Sequence, residues 1–164
     1  MTVAKLTATA LCLMATALPA TAQSAVDIVE LLCGRTVQYY SVTIGNQIEF
    51  TDPDGTAYLW HPFAAGGVVI GDWRIEVPDN ADVQVCYTYP DGSFGPDTGG
   101  DHCFTYAGLI DDIVEDGIRD GDPFDLRTGV APFPLPLNPP LPAARLSEMY
   151  PDQDRGPGCS AYVS

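Results

Sequence analysis

Cys86 and Cys103 stand on neighbouring runs of alternating apolar residues, so disulfide formation is the first chemistry the sequence offers. In residues 71–77, Trp73, Ile75 and Val77 fall on one side and Asp72, Arg74 and Glu76 on the other. In residues 82–89, Val83, Val85, Tyr87 and Tyr89 alternate with Asp82, Gln84, Cys86 and Thr88. In residues 103–106, Phe104 and Tyr106 alternate with Cys103 and Thr105. A period of two marks strands with one buried and one wet face. Both cysteines lie on the polar side, two residues from a threonine. Facing Cα atoms of antiparallel strands lie about 4.5–5.5 Å apart, within reach of a disulfide. Four cysteines outside the N-terminal apolar run allow three pairings. Adjacent-strand geometry selects Cys86–Cys103 and leaves Cys33–Cys159 to tie the ends of the domain together.

Other chemistry is sparse. The two histidines, His61 and His102, form a metal site only with a carboxylate such as Asp101 or a thiolate, and Cys103 is assigned to a disulfide. There is no C-x-x-C pair for redox work or a zinc knuckle, and no G-x-S-x-G nucleophile turn. Paired carboxylates mean little among 22 acids. Residues 91–101 (DGSFGPDTGGD) and 111–125 are rich in the oxygen ligands calcium takes, but neither has the D-x-[DN]-x-[DN]-G spacing. Turns and solvated loops are the expected role of both. No catalytic, cofactor-binding or metal-binding residue is assigned. A calcium-dependent protein or a hydrolase, with a cleft near His61 or His102, stands behind the non-catalytic readings.

The elements that position these residues begin after an expected signal peptide, residues 1–22. Lys5 supplies its positive start, residues 6–18 its apolar run, and Ala20-Thr21-Ala22 a small-x-small cleavage site. The run is shorter than the roughly 20 residues a membrane span needs. Cys12 follows the bulky Leu11, so lipid attachment there is not expected. Cleavage removes the single lysine and moves the net charge from −15 to −16, with six arginines against 22 acids. Loss of lysine excludes Schiff-base and P-loop chemistry in the processed chain. Such a charge repels nucleic acid and anionic membranes. The expected location is the periplasm or the exterior, where disulfides persist.

Residues 24–32 predict a short amphipathic helix, capped by Ser24 and ended at Gly34. Residues 35–43 predict a strand whose alternation slips at Tyr39-Tyr40. Gly45-Asn46 marks a turn, and residues 47–51 and 56–60 a hairpin joined by Asp52-Pro53-Asp54-Gly55. A loop at 62–67 precedes a strand over 68–77. Further short strands are predicted at Ile113-Val114 and Phe124-Asp125-Leu126. Residues 130–142 hold six prolines, which remove ladder donors and favour extended polyproline or irregular backbone. Their interleaved Phe133, Leu135, Leu137 and Leu141 predict burial across the surface of the domain rather than a free tail. Residues 143–149 predict one or two helical turns. The fold class is therefore all-β, a small antiparallel barrel or sandwich of six to eight strands. It divides into a β domain, 23–127, and a proline-rich segment, 128–164, tied back by a disulfide.

The Gly71-x-Trp73-x-Ile75 strand, followed by Val85-Cys86-Tyr87 and Cys103-Phe104, resembles small exported bacterial β-domains of uncharacterised function. The resemblance spans residues 34–108 and implies no functional residue. The sequence thus predicts an exported, monomeric binding or accessory protein that does not span a membrane and takes no cofactor. A protein partner would use an apolar patch along Phe133 to Leu141. The alternative, a barrel binding a small ligand, requires an aromatic cavity near Trp73 and Tyr87.

Overall fold

The computed structural model describes residues 20–64, 67–79, 82–93, 100–156 and 158–159, with side chains from residue 25 onward. The expected leader lies outside these residues except for its last three, as do Cys12 and most of the glycine-rich stretch 91–101. The chain runs α1 (Ala20–Leu32), β1 (Arg35–Ser41), β2 (Gly45–Thr51), β3 (Thr56–Trp60), β4 (Val69–Glu76), β5 (Gln84–Tyr89) and β6 (Gly100–Thr105). It continues through α2 (Tyr106–Asp112), β7 (Ile113–Asp120), a 3-10 turn (Leu126–Thr128) and α3 (Ala143–Met149). Among the described residues no helix is long and apolar enough to cross a membrane.

The seven strands form one antiparallel sheet, ordered β6-β5-β4-β3-β2-β1-β7, curled into a half-barrel. The curl follows from connectivity. Laid flat, seven strands at about 4.8 Å spacing would separate the edges by about 29 Å. Yet edge strands β6 and β7 are joined by the seven residues of α2 alone, a helix about 10 Å long. The sheet must therefore bend until α2 can span its open side. Thr105 caps α2, its hydroxyl accepting from the Gly108 amide at 3.2 Å.

Both faces of the central strands are buried. On the inner face Val37, Tyr39, Leu59, Trp73, Val85 and Tyr87 pack beneath Ile28, Val29 and Leu32 of α1 and Leu109 of α2. On the outer face Ile48, Phe50 and Trp60 pack against Phe124, Leu126, Leu135 and Leu146 from the C-terminal quarter. The Phe133 ring lies edge-on to Trp60, with centroids 4.7 Å apart. Registers match these faces, with Ile48 opposite Trp60 and Phe50 opposite Tyr58 outside, and Trp73 opposite Tyr87 inside.

The proline-rich segment lacks a ladder of its own, so sheet side chains satisfy its backbone. Fully buried Asn46 donates from Nδ2 to the carbonyls of Pro136 (2.8 Å) and Pro139 (3.0 Å), while its Oδ1 accepts from the Leu141 amide at 2.7 Å. Gln38 donates to the Leu141 carbonyl at 2.8 Å. Arg119 holds the following stretch through Asp152 (2.5 Å), Ser147 (2.7 Å) and the Tyr150 carbonyl (2.8 Å). Arg155 then donates to the Cys33 carbonyl at 2.8 Å, beside the Cys33–Cys159 disulfide.

Cys86 faces Cys103 directly in the β5–β6 register, and the two are bonded, with Cα atoms 4.0 Å apart. The slip predicted at Tyr39-Tyr40 appears as a register shift between Val37 and Tyr39 against β7. Phe124-Asp125-Leu126 is not a strand. The Asp122 carboxylate accepts from the amides of Leu126 (2.9 Å) and Arg127 (3.0 Å), and Asp125 takes the left-handed conformation (φ 55°), which winds the segment into a turn. Arg127 pairs with Asp52 at 2.5 Å and lies 4.7 Å over the Phe50 ring, fixing that turn to the β2–β3 hairpin.

Two stability effects follow. Asn46→Ala strands three backbone groups of the tail, and urea unfolding should show a loss of about 2–3 kcal/mol; a loss under 1 kcal/mol would mean the tail is held mainly by its apolar contacts. Cys33–Cys159 spans 126 residues and Cys86–Cys103 spans 17. Serine replacement of the first pair should cost about 4–5 kcal/mol and of the second about 3 kcal/mol, because the longer closure restricts the unfolded chain more.

Candidate ligand cavity on the inner face

The inner face is not filled throughout. Between β1, β2, β5, β6 and α2 lies a cavity of about 480 Å³, bounded at its depth by Tyr39, Glu49, Leu59, Tyr87, Tyr89 and Leu109. Phe63 and Phe104, half exposed, stand at its rim. Such a volume falls within the range of small-molecule sites and is far larger than packing voids in ordinary cores.

Backbone register places Glu49 there. On β2, Ile48 and Phe50 point outward, so Glu49 must point inward, opposite Val37 of β1 and Leu59 of β3. It is 6% exposed. Tyr89, on β5, donates its hydroxyl to Glu49 across the two intervening strands. The span is open because the facing residues on those strands are Ala57 and Gly71. A Cβ at Gly71 would come within 2.6 Å of the Tyr89 ring and 2.3 Å of the Thr88 carbonyl. The glycine of Gly71-x-Trp73 is thus the gap across which Tyr89 reaches Glu49, while Trp73 anchors the strand through its indole N–H to the Asp52 carbonyl at 2.7 Å.

Burial raises the Glu49 carboxyl to about 7, opposed by the hydroxyls of Tyr89 and Tyr87. Burial, and then the Glu49 charge, hold Tyr39, Tyr87 and Tyr89 well above the ordinary phenol value, so all three are neutral donors and acceptors. The hydroxyls of Tyr39 and Tyr87 are fully buried, and that of Tyr87 lies beside the Tyr39 hydroxyl, the Glu49 carboxyl and the Thr51 hydroxyl. Tyr87 and Tyr89 present nearly parallel rings, 4° apart with centroids at 6.2 Å. None of the six arginines lines the cavity; its charged and titratable lining is Glu49, Asp112, His102 and the tyrosines.

The residues singled out in the sequence fall apart accordingly. Tyr87 and His102 reach the cavity, with Tyr87 opposite His102 in the β5–β6 register. Trp73 packs in the adjoining core. His61 is buried at the end of β3, its ring 6.2 Å from that of Phe63. Asp101 points to the wet face and binds Arg74 (2.8 Å) and Thr88 (2.5 Å), so it does not join His102. Among the described residues one trio of potential ligands is close enough to hold a metal, Glu76 with Cys86 and Cys103, and both thiols are spent in the disulfide. Within 111–125, Asp122 caps the 3-10 turn, whereas Asp111, Asp112, Glu115, Asp116 and Asp125 are exposed. Along the tail, Leu135 is buried and Phe133 and Leu141 pack beside it, with Leu137 half exposed.

Glu49 escaped the sequence reading because a charged residue between Ile48 and Phe50 looks like a wet-face position. The available signal was the partner strand: Ala57-Tyr58-Leu59-Trp60 is apolar on both faces, so residues opposite it are buried on both. No protein-family model, curated protein or solved structure matches the chain.

The Glu49 environment sets a pH dependence of stability. In the unfolded chain the carboxyl releases its proton near 4.5, and in the fold it keeps it until about 7. The folded state therefore holds the extra proton between these values, so stability falls as pH rises through that window and levels off above it. Glu49→Gln should be more stable than the parent by about 3 kcal/mol at pH 8, narrowing to about 1 kcal/mol at pH 5, in urea unfolding. A gap independent of pH would show that burial does not perturb Glu49.

Proposed function

We propose that the protein is an exported, non-catalytic binder of a small organic ligand held in the inner-face cavity. The observation that carries this reading is the cavity itself: about 480 Å³ of open space walled by aromatic side chains, with a buried carboxylate at its depth. Open volume in a core forfeits packing, and a carboxylate buried without a basic partner is unfavourable, so the two together describe a binding site rather than an economical core. The two disulfides and the leader-like N-terminus support export. The packing of Phe133, Leu135 and Leu141 against the sheet leaves less of the tail for a protein partner.

One observation favours a second reading. A carboxyl titrating at about 7 beside neutral tyrosine hydroxyls also suits a general base that removes a proton from a carbon acid. Deuterium exchange into a bound ketone, abolished by Glu49→Gln, would support it over simple binding.

The test of the binding reading is an NMR titration with neutral fragments, indole and toluene. Shifts should be confined to residues around Tyr39, Leu59, Tyr87, Tyr89 and Leu109, and Leu109→Trp, which fills the space, should remove them while unfolding stays cooperative. Scattered or absent shifts would show that the space is closed in solution and would end this reading.

A further inference from the structure

We propose that the cavity selects an organic cation, a small amine whose ammonium sits on the Glu49 carboxylate and whose hydrocarbon part lies against the tyrosine rings. This rests on the ligand-binding reading above and adds the charge and chemical class of the ligand. The first argument is charge. Carboxylates with little exposure are ordinarily paired, because burial of a lone charge is strongly unfavourable. Glu49 has tyrosine hydroxyls for company and no arginine. The arginines are placed elsewhere: Arg35 and Arg155 with Asp120, Arg74 with Asp101 and Glu76, Arg119 with Asp152, Arg127 with Asp52, and Arg145 on the outer groove beside Phe133 and Met149. No arginine supplies the positive charge, and a cationic ligand entering the cavity would do so.

The second argument is the count of acceptors. An alkylammonium carries three N–H donors. The depth of the cavity offers a Glu49 oxygen together with the buried hydroxyl oxygens of Tyr39 and Tyr87, each an acceptor with two lone pairs. The third is the walls. Electron-rich ring faces attract cations, and the parallel Tyr87 and Tyr89 rings stand at the carboxylate. An anionic ligand would instead meet the charge of Glu49 and of Asp112, and a neutral one would have no use for either. The titratable groups lining the cavity with Glu49 are Tyr39 on β1, Tyr87 and Tyr89 on β5, His102 on β6 and Asp112 on α2, while β3 contributes only Leu59.

Three probes of equal reach separate the possibilities: 2-phenylethylamine, 2-phenylethanol and 3-phenylpropionate, titrated into the full protein by calorimetry. At pH 8 the amine should bind at least about tenfold more tightly than the alcohol, and the acid more weakly than either. The preference for amine over alcohol should shrink by about tenfold per pH unit below 7, as Glu49 takes up its proton. Glu49→Gln should bring amine and alcohol to equal affinity and flatten the pH profile. Should that variant fail to fold, the pH profile of the parent decides. Equal binding of amine and alcohol by the parent, or a preference that survives Glu49→Gln, would overturn the cation assignment while leaving the cavity a ligand site. Binding of none of the three would overturn both.

Discussion

The structure depends on the burial of β1, β2 and β3 on both faces. A strand with one wet face can leave half its side chains to solvent, but these three must find apolar cover twice. The inner cover is local, from α1 and from the curl that brings α2 over the open side. The outer cover is remote, since it is supplied by residues 124–146. That requirement explains why so many prolines are ordered. A segment unable to make a ladder can still lie on a sheet if the sheet provides its hydrogen bonds, and Asn46, Gln38 and Arg119 do so from the outer face. Each is a buried polar side chain on the outer face, and each bonds to tail backbone, Arg119 adding the side chains of Asp152 and Ser147.

The same geometry leaves room inside. Close packing of a strongly bent sheet requires large inward residues along every strand, and here the middle of the sheet carries Ala57 and Gly71 side by side. The result is a trough that Tyr89 bridges to reach Glu49, with open volume beyond it. Small residues, a buried acid and three tyrosines are thus one arrangement rather than separate features. Removing the trough would bring the sheet closer to a solid core and would separate the acid from its hydroxyl donor.

How much of this was legible follows from the range of the interactions involved. Cys86 opposite Cys103 could be read from alternation and turn chemistry, because register within a hairpin is a short-range property. Cys33–Cys159 followed by elimination. The turn at Phe124–Leu126 was not legible, since its strand-like composition is overridden by Asp122, whose carboxylate caps two amides. Helix α2 was missed because Gly108 and a seven-residue length give a weak periodic signal, and its role as a strap depends on both sheet edges. Glu49 shows the limit most clearly. Its burial is set by what covers the second face of β2, and in a one-sided sheet the same Ile-Glu-Phe triplet would place the acid in water.

The late position of the outer cover has a consequence for how the chain comes into being. Synthesis proceeds from the N-terminus, so all seven strands are made before Phe124, Leu126, Leu135 and Leu146. Until then Ile48, Phe50 and Trp60 form a bare apolar stripe on a nascent sheet, a surface to which holding chaperones bind and at which neighbouring chains stick. The last quarter of the polypeptide acts as the molecule's own cover for that stripe, and a ribosome that stalls near residue 122 would release a sticky product.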